Sequence, residues 1–283
     1  MKINKKNLIA ATISVALVAI TLPAHAATVD AKAAALVPSN LKTKGVLVVG
    51  VDATYAPNEF KDAKGNVIGW DVELFTAMAA KVGLKTKYVV GTFDQIIPQI
   101  KGGRYDAGVS SFTDTKEREA QVDFVDYFSA GIQWAARKGV TLDANNACGK
   151  QIAAQTGTTE VTDLQDKSKA CTTAGKKAIK ILQYDTQDQA NAAVILGRAD
   201  GLTADSPVTE NAVKASNGKM VLAGAIYGAA PYGYALAKGT TLPKALLAAL
   251  QDLKADGTYM AILNKWGVQA GAVSTYGING AIN

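Results

Sequence analysis

Histidine is almost absent from this sequence: of 283 residues only His25 is one. Its neighbourhood explains why even that one matters little. Lys2, Lys5 and Lys6 precede a mostly apolar run over residues 8–22, and Pro23 and Ala24-His25-Ala26 follow it. A basic start, a short apolar core and a small-x-small site form the pattern of a secretory signal peptide, with cleavage expected after Ala26. The run is shorter than the ~20 residues a spanning helix needs; an uncleaved anchor is the alternative reading. Cleavage would leave residues 27–283 with no histidine. That excludes Ser-His-Asp and Cys-His nucleophiles and any zinc site containing His.

Cysteine is nearly as scarce. Cys148 and Cys171 are the only two, too few for a four-thiolate zinc site. No metal and no cofactor is expected. In an oxidising export compartment the two should pair, the alternative being two buried thiols. Closing a loop of this length stabilises a fold by roughly 3 kcal/mol in the chain-entropy view. No cysteine adjoins the expected cleavage site, so a lipid anchor is not expected, and a free protein of a Gram-negative periplasm is. The sequence also lacks any block of Lys or Arg interleaved with aromatics. Its formal charge of +6 includes the three lysines of the expected signal peptide, and the remainder is evenly spread. A nucleic-acid partner is therefore not expected. Ser39-x-x-Lys42 and Ser216-x-x-Lys219 match a hydrolase spacing, but no companion motif accompanies either.

What is present is an alternation of short β-branched runs with amphipathic stretches, the signature of α/β lobes with mostly parallel sheets. Strands are predicted over residues 46–51, 87–90, 105–110, 151–155, 179–183, 201–204 and 232–237. Helices are predicted over 71–82, 93–101, 114–120, from 158, over 187–196, from 205, and over 242–255 and 258–266. Asp114 followed by Glu117 reads as a capping box. The order suits two lobes: 27–130 as the first part of lobe 1, 131–230 as lobe 2, and 231–283 returning to lobe 1 with the C-terminal helices. The chain would cross near 129–131 and 228–231, where Gly131 and Gly228 offer hinge torsions.

In open parallel sheets ligands bind beyond the carboxyl ends of the strands. Asp52 and Tyr55 follow the first strand, Phe93 the second, and Ser111, Thr113 and Arg118 the third. In lobe 2, Gln155 ends a strand, Thr158 and Thr159 open a helix, and Asp205 opens another. The set suits a zwitterion. Arg118 offers a planar fork for a carboxylate, and the helix start at Thr158-Thr159 also favours an anion. Asp205 can take an ammonium, and Tyr55 and Phe93 can sandwich a side chain. Each has a plainer alternative: a solvated charge for Arg118, an N-cap for Asp205, core packing for the two aromatics.

Segments carrying these residues resemble the polar amino acid-binding family of bacterial periplasmic solute-binding proteins. They are Val49-Gly-Val-Asp-Ala-Thr-Tyr55, Gly65-Asn-Val-Ile-Gly-Trp-Asp-Val-Glu-Leu74, Phe93-Asp-Gln-Ile-Ile-Pro-Gln-Ile100, Gly103-Arg-Tyr-Asp106, Ser110-Ser-Phe-Thr-Asp-Thr-Lys-Glu-Arg118, Val122-Asp-Phe124, and Asp256-Gly-Thr-Tyr259 with Lys265-Trp266. They run in the family's order over nearly all of residues 27–283. The resemblance implies a two-lobe periplasmic-binding-protein (Venus-flytrap) fold with two hinge strands. It implies that a monomer captures a polar amino acid for an inner-membrane ABC permease. It assigns Arg118, helped by Thr113 and Thr159, to the α-carboxylate. Asp205 and the backbone around Ser111 would hold the α-ammonium, Tyr55 and Phe93 would flank the side chain, and Asp52 would reach its polar end.

Three positions leave the family pattern: Asn58 stands where many relatives carry an aromatic, Trp70 replaces a usual Phe, and Glu73 a usual Asp. Side-chain specificity is expected to rest on Asp52, Gln155 and Glu59. Asp52 favours a basic amino acid through a charge-assisted bond, with glutamine compatible. The alternative function is a periplasmic dehydratase of the cyclohexadienyl type on the same scaffold, using a pocket carboxylate or Lys as general acid. A sensor domain would need a separate partner.

Overall fold

The structure is a computed structural model, and it describes residues 28–282. The expected signal peptide, with His25, lies outside the described residues. Chain order runs α1 (Ala31–Ala35), α2 (Ser39–Lys44), β1 (Val46–Val51), β2 (Thr54–Tyr55), β3 (Glu59–Lys61), β4 (Val67–Ile68), α3 (Trp70–Lys81), β5 (Lys85–Val90), α4 (Phe93–Lys101), β6 (Ala107–Gly108), α5 (Lys116–Glu119) and β7 (Asp123–Arg137). It continues through β8 (Gln151–Gln155), α6 (Thr159–Thr173), β9 (Lys180–Tyr184), α7 (Gln187–Ile195), β10 (Gly201–Asp205), α8 (Ser206–Ala215), β11 (Met220–Leu236), α9 (Leu242–Ala255) and α10 (Thr258–Trp266).

The main sheet has the order β5-β1-β6-β11-β7-β10-β8-β9. β1 lies parallel to β5 and β6 at one end, and β8 parallel to β9 and β10 at the other. Between these parallel halves run the long antiparallel partners β7 and β11. This is the two-lobe α/β fold, with two strands passing between lobes. The segments 129–131 and 228–231 lie inside β7 and β11, where the ladder loses register around Tyr227 and Ala230. The two glycines there serve different needs. Gly228 sits at φ +61, a left-handed conformation open to a residue without Cβ. Gly131 instead supplies room: a Cβ would stand 2.7 Å from the Tyr227 carbonyl of the neighbouring strand.

Each lobe covers its sheet with amphipathic helices. In α9, Leu242, Ala245, Leu246, Ala249, Leu250 and Leu253 are buried, a stripe at helical spacing that packs with Leu74, Phe75 and Met78 of α3. The opposite face of the same half-sheet buries Phe93, Ile96, Ile97 and Ile100 of α4 against Phe112 and Phe124. Buried Lys81 of α3 holds Asp252 and Asp256 of the C-terminal segment at 2.6 and 2.8 Å. In lobe 2 a disulfide joins Cys148 and Cys171 across a Cα separation of 5.6 Å, tying α6 to the loop before β8.

Three local expectations change. The predicted strand over 105–110 is only Ala107–Gly108. Asp106 Oδ2 takes the Val48 N–H at 2.7 Å in place of a ladder bond, and Ser111 turns the chain at φ +48. β11 spans 17 residues rather than starting at 232; its first part is rich in Ala and Gly and contains Pro231, which weakens any strand signal. The helix over 114–120 shrinks to α5, and its cap is Thr115, whose Oγ1 accepts the Arg118 N–H at 3.2 Å.

Asp114 therefore has another role. It is buried, neither carboxyl oxygen has a hydrogen-bond donor among the described residues, and it faces Asp126. Burial, then the charge of Asp126, pushes Asp114 up to about 8; burial pushes Asp126 up to about 6. Both values are raised over those of an unfolded chain, so the fold binds protons more tightly than the unfolded state. This contribution is complete below about pH 4, falls progressively above it, and is fully lost once pH passes about 8. Asn at position 114 can still donate to Asp126 and has no charge to bury. Asp114→Asn should raise the melting temperature by several degrees more near pH 8.5 than near pH 5. Equal shifts at the two pH values in thermal unfolding would contradict this.

Candidate functional site

The carboxyl ends of the parallel strands in both halves point at one another across the cleft. Asp52 leaves β1, and its Oδ1 accepts from the Thr54 N–H and hydroxyl at 3.0 and 2.6 Å, an Asx-type turn that fixes the carboxylate. Its Oδ2 accepts from Gln155 Nε2, from the other lobe, at 2.6 Å. Tyr55 donates its hydroxyl to Asp205 Oδ2 at 2.9 Å and accepts the Asp205 N–H at 3.1 Å. Asp205 occupies the N-cap position of α8 but makes no capping bond, because its side chain is turned to Tyr55.

Arg118 is held by aromatic walls and by both lobes. Its guanidinium carbon lies 5.3 Å from the centre of the Phe93 ring and 5.7 Å from that of Phe112. Nη1 donates to the Thr113 carbonyl at 2.8 Å, and Nη2 to the Gly157 carbonyl of the opposite lobe at 3.0 Å. Two of its five donors are thus used for alignment, leaving others for a ligand. The hydroxyls of Thr113 and Thr159 approach to 3.5 Å across the cleft. Thr158 spends its own hydroxyl on the Gln155 carbonyl, so it makes no side-chain cap for α6. The first N–H groups of that helix are left to an anion.

All nine residues expected from the sequence line one cavity: Asp52, Tyr55, Phe93, Ser111, Thr113, Arg118, Gln155, Thr159 and Asp205. Ser110, Thr158 and Glu160 complete its wall. Direct contacts between lobes, from Arg118 to the Gly157 carbonyl and from Gln155 to Asp52, leave little space in this arrangement. Glu160 is a site residue that sequence reasoning missed. An acid in the first turn of a helix reads as a complement to the helix dipole, and nothing local says that it points into a cleft. Glu59 was expected to shape specificity from the wall. It lies fully buried behind Ser111 instead, because β3 turns it inward. Glu73 is remote from the cavity, bonded to Lys265 and Trp266 at 2.8 Å each.

The charges of the wall do not balance. Asp52, Glu160 and Asp205 stand against one guanidinium. Burial pushes all three carboxyls above their ordinary range, and Glu160 adds to the rise at Asp205. Burial likewise pulls Arg118 below its ordinary value. Charged groups taken from water without full compensation are costly. A cation entering the cavity would relieve that cost.

The family described as bacterial extracellular solute-binding proteins, family 3, matches residues 47–269. The chain belongs to this family. As a family 3 solute-binding protein it binds a solute, and its similar relatives are binding proteins rather than dehydratases. Arginine-binding protein ArgT of Corynebacterium glutamicum is 40% identical over 248 residues, covering 87% of this chain and 82% of that protein. Solved structures that share the fold of this family 3 protein include two ancestral ones. An ancestral arginine-binding protein bound to arginine has a TM-score of 0.72 and 35% identity, covering 78% of this chain and 98% of the other. An ancestral arginine-binding protein bound to glutamine has a TM-score of 0.73 and 33% identity, covering 79% and 98%.

Proposed function

We propose that this protein captures a basic amino acid, arginine first, in the periplasm and delivers it as a monomer to an inner-membrane ABC permease. The observation that carries this reading is the composition of the wall: three acids and one guanidinium around a single cavity. A basic amino acid brings two positive groups and one negative, and so halves the imbalance. A neutral one such as glutamine does not. The arginine named for the relatives supports the same choice.

In this reading Arg118 grips the α-carboxylate through its unused donors, with the Thr113 and Thr159 hydroxyls and the start of α6 beside it. Asp205, steadied by the Tyr55 hydroxyl, takes the α-ammonium together with the backbone at Ser111. Tyr55 and Phe93 flank the aliphatic stem, and Asp52 with Gln155 receives the guanidinium or ε-ammonium. The ligand joins the two lobes through both its ends, and exclusion of water strengthens each charged contact. The closed face is then the signal a permease reads. The basic start, the apolar run and Ala24-His25-Ala26 support export through a cleaved signal peptide.

A thermal-shift panel of the twenty amino acids tests the proposal, using protein unfolded and refolded to strip carried-over ligand. Arginine, lysine and ornithine should raise the melting temperature most, because stabilisation follows RT ln(1 + [L]/Kd). A shift with glutamine larger than with arginine would reverse the assignment, and no shift with any amino acid would end it.

A further inference from the structure

Asn58 and Trp70, two of the positions that leave the family pattern, meet each other. Trp70 Nε1 donates to Asn58 Oδ1 at 2.7 Å, and Asn58 Nδ2 donates to Ser111 Oγ at 2.9 Å. The Ser111 hydroxyl, having one proton, passes it to Glu59 Oε2 at 3.0 Å. The Ser111 N–H points to Asp71 Oδ2 at 3.3 Å. Trp70, Asn58, Glu59 and Asp71 are completely buried. None of the four lines the cavity; Ser111 is the one member of the chain that does.

Ser111 also has an unusual backbone. At φ +48 it occupies the left-handed region, which residues with a Cβ enter at a cost and hold only when their surroundings impose it. The relay supplies that imposition on both the hydroxyl and the N–H. Among the described residues no backbone N–H donates to the Ser111 carbonyl. That leaves the carbonyl an acceptor for an incoming donor.

We propose that Asn58 and Glu59 are positioning residues that lock Ser111 in its left-handed turn and so make recognition of the ligand's α-ammonium depend on a buried side-chain relay. The inference rests on the amino-acid reading given above. The relay has a stated polarity: indole to amide, amide to hydroxyl, hydroxyl to carboxyl. Glu59 and Asp71 are two buried acids side by side, and burial together with the charge of Asp71 pushes Glu59 well up. Glu59 accepts from Ser111 and, when protonated, can donate to Asp71 beside it. Glutamine can do both; leucine can do neither.

The test compares arginine with 5-guanidinopentanoate, which is arginine without its α-amino group, by calorimetry on each variant. Glu59→Gln should keep the wild-type ratio of the two affinities. Glu59→Leu, Asn58→Leu and Ser111→Ala should each weaken arginine about tenfold or more while barely moving the analogue. Should the leucine variants fail to fold, Ser111→Ala and Glu59→Gln decide the matter. Equal losses for both ligands, or full arginine affinity in Ser111→Ala, overturns the positioning role while leaving the amino-acid reading standing. Wild-type protein that does not bind arginine overturns that reading, and the relay's role with it.

Discussion

Arg118→Ala should remove arginine binding from the measurable range while leaving the fold intact. The guanidinium is the only cation in the cavity wall, and it stands among Asp52, Glu160 and Asp205. Without it the ligand carboxylate enters a cleft whose remaining charged groups are all acids. Truncating one member of a buried charge pair costs about 3–5 kcal/mol, or between two and nearly four orders of magnitude in Kd. The ligand-free protein should suffer far less. Arg118 belongs to a four-residue helix at the cleft, and its bonds are to the Thr113 and Gly157 carbonyls rather than to core groups. Arg118→Lys should also bind poorly, because a point charge cannot serve the two carbonyls and a carboxylate as the planar fork does. Calorimetric titration with arginine, beside thermal unfolding without it, separates the two effects. Arginine affinity within threefold or so of wild type would remove the central contact of the proposal.

Asp52→Asn should weaken arginine about 10- to 100-fold and change citrulline or glutamine by no more than a few fold, since bonds to charged groups are worth about 1.5–3 kcal/mol. The substitution is nearly isosteric. The Asn carbonyl oxygen can still accept from Thr54, as Oδ1 of Asp52 does at 2.6 and 3.0 Å. What disappears is one negative charge, together with the acceptor for Gln155 Nε2, at the end of the cavity where Gln155 meets Asp52. Citrulline replaces the guanidinium by a neutral urea of the same shape, so the comparison isolates charge. Equal losses for arginine and citrulline would mean that Asp52 shapes the cleft without reading charge, and the preference for a basic ligand would lose its mechanism.

Much of the candidate site is legible in the sequence because the fold places ligands beyond strand ends, and strand ends can be read from punctuation. Asp52 and Tyr55 follow a run of β-branched residues. Arg118 sits just past Ser110-Ser111, and Asp205 precedes Pro207 at a helix start. What misled were residues whose local role is satisfied in two ways. Glu160 at a helix start looks like an ordinary complement to the dipole, yet it lines the cavity. Asp114 looks like a cap, yet Thr115 caps and Asp114 turns inward to Asp126. Glu59, three residues from Ala56 on a short strand, reads as part of the wall and stands behind it.

The sequence by itself determined the α/β class, the family and the residue types that the cleft would present. Those follow from periodicity, strand-end position and motif order, all properties of neighbours along the chain. Only the tertiary structure decided which charges share one low-dielectric space, that three acids oppose one guanidinium there, and that Trp70, Asn58, Ser111 and Glu59 form a single relay. Electrostatic balance and hydrogen-bond direction depend on distance and on exclusion of water. Residues 12, 53 and 103 positions apart acquire both only when the chain has folded.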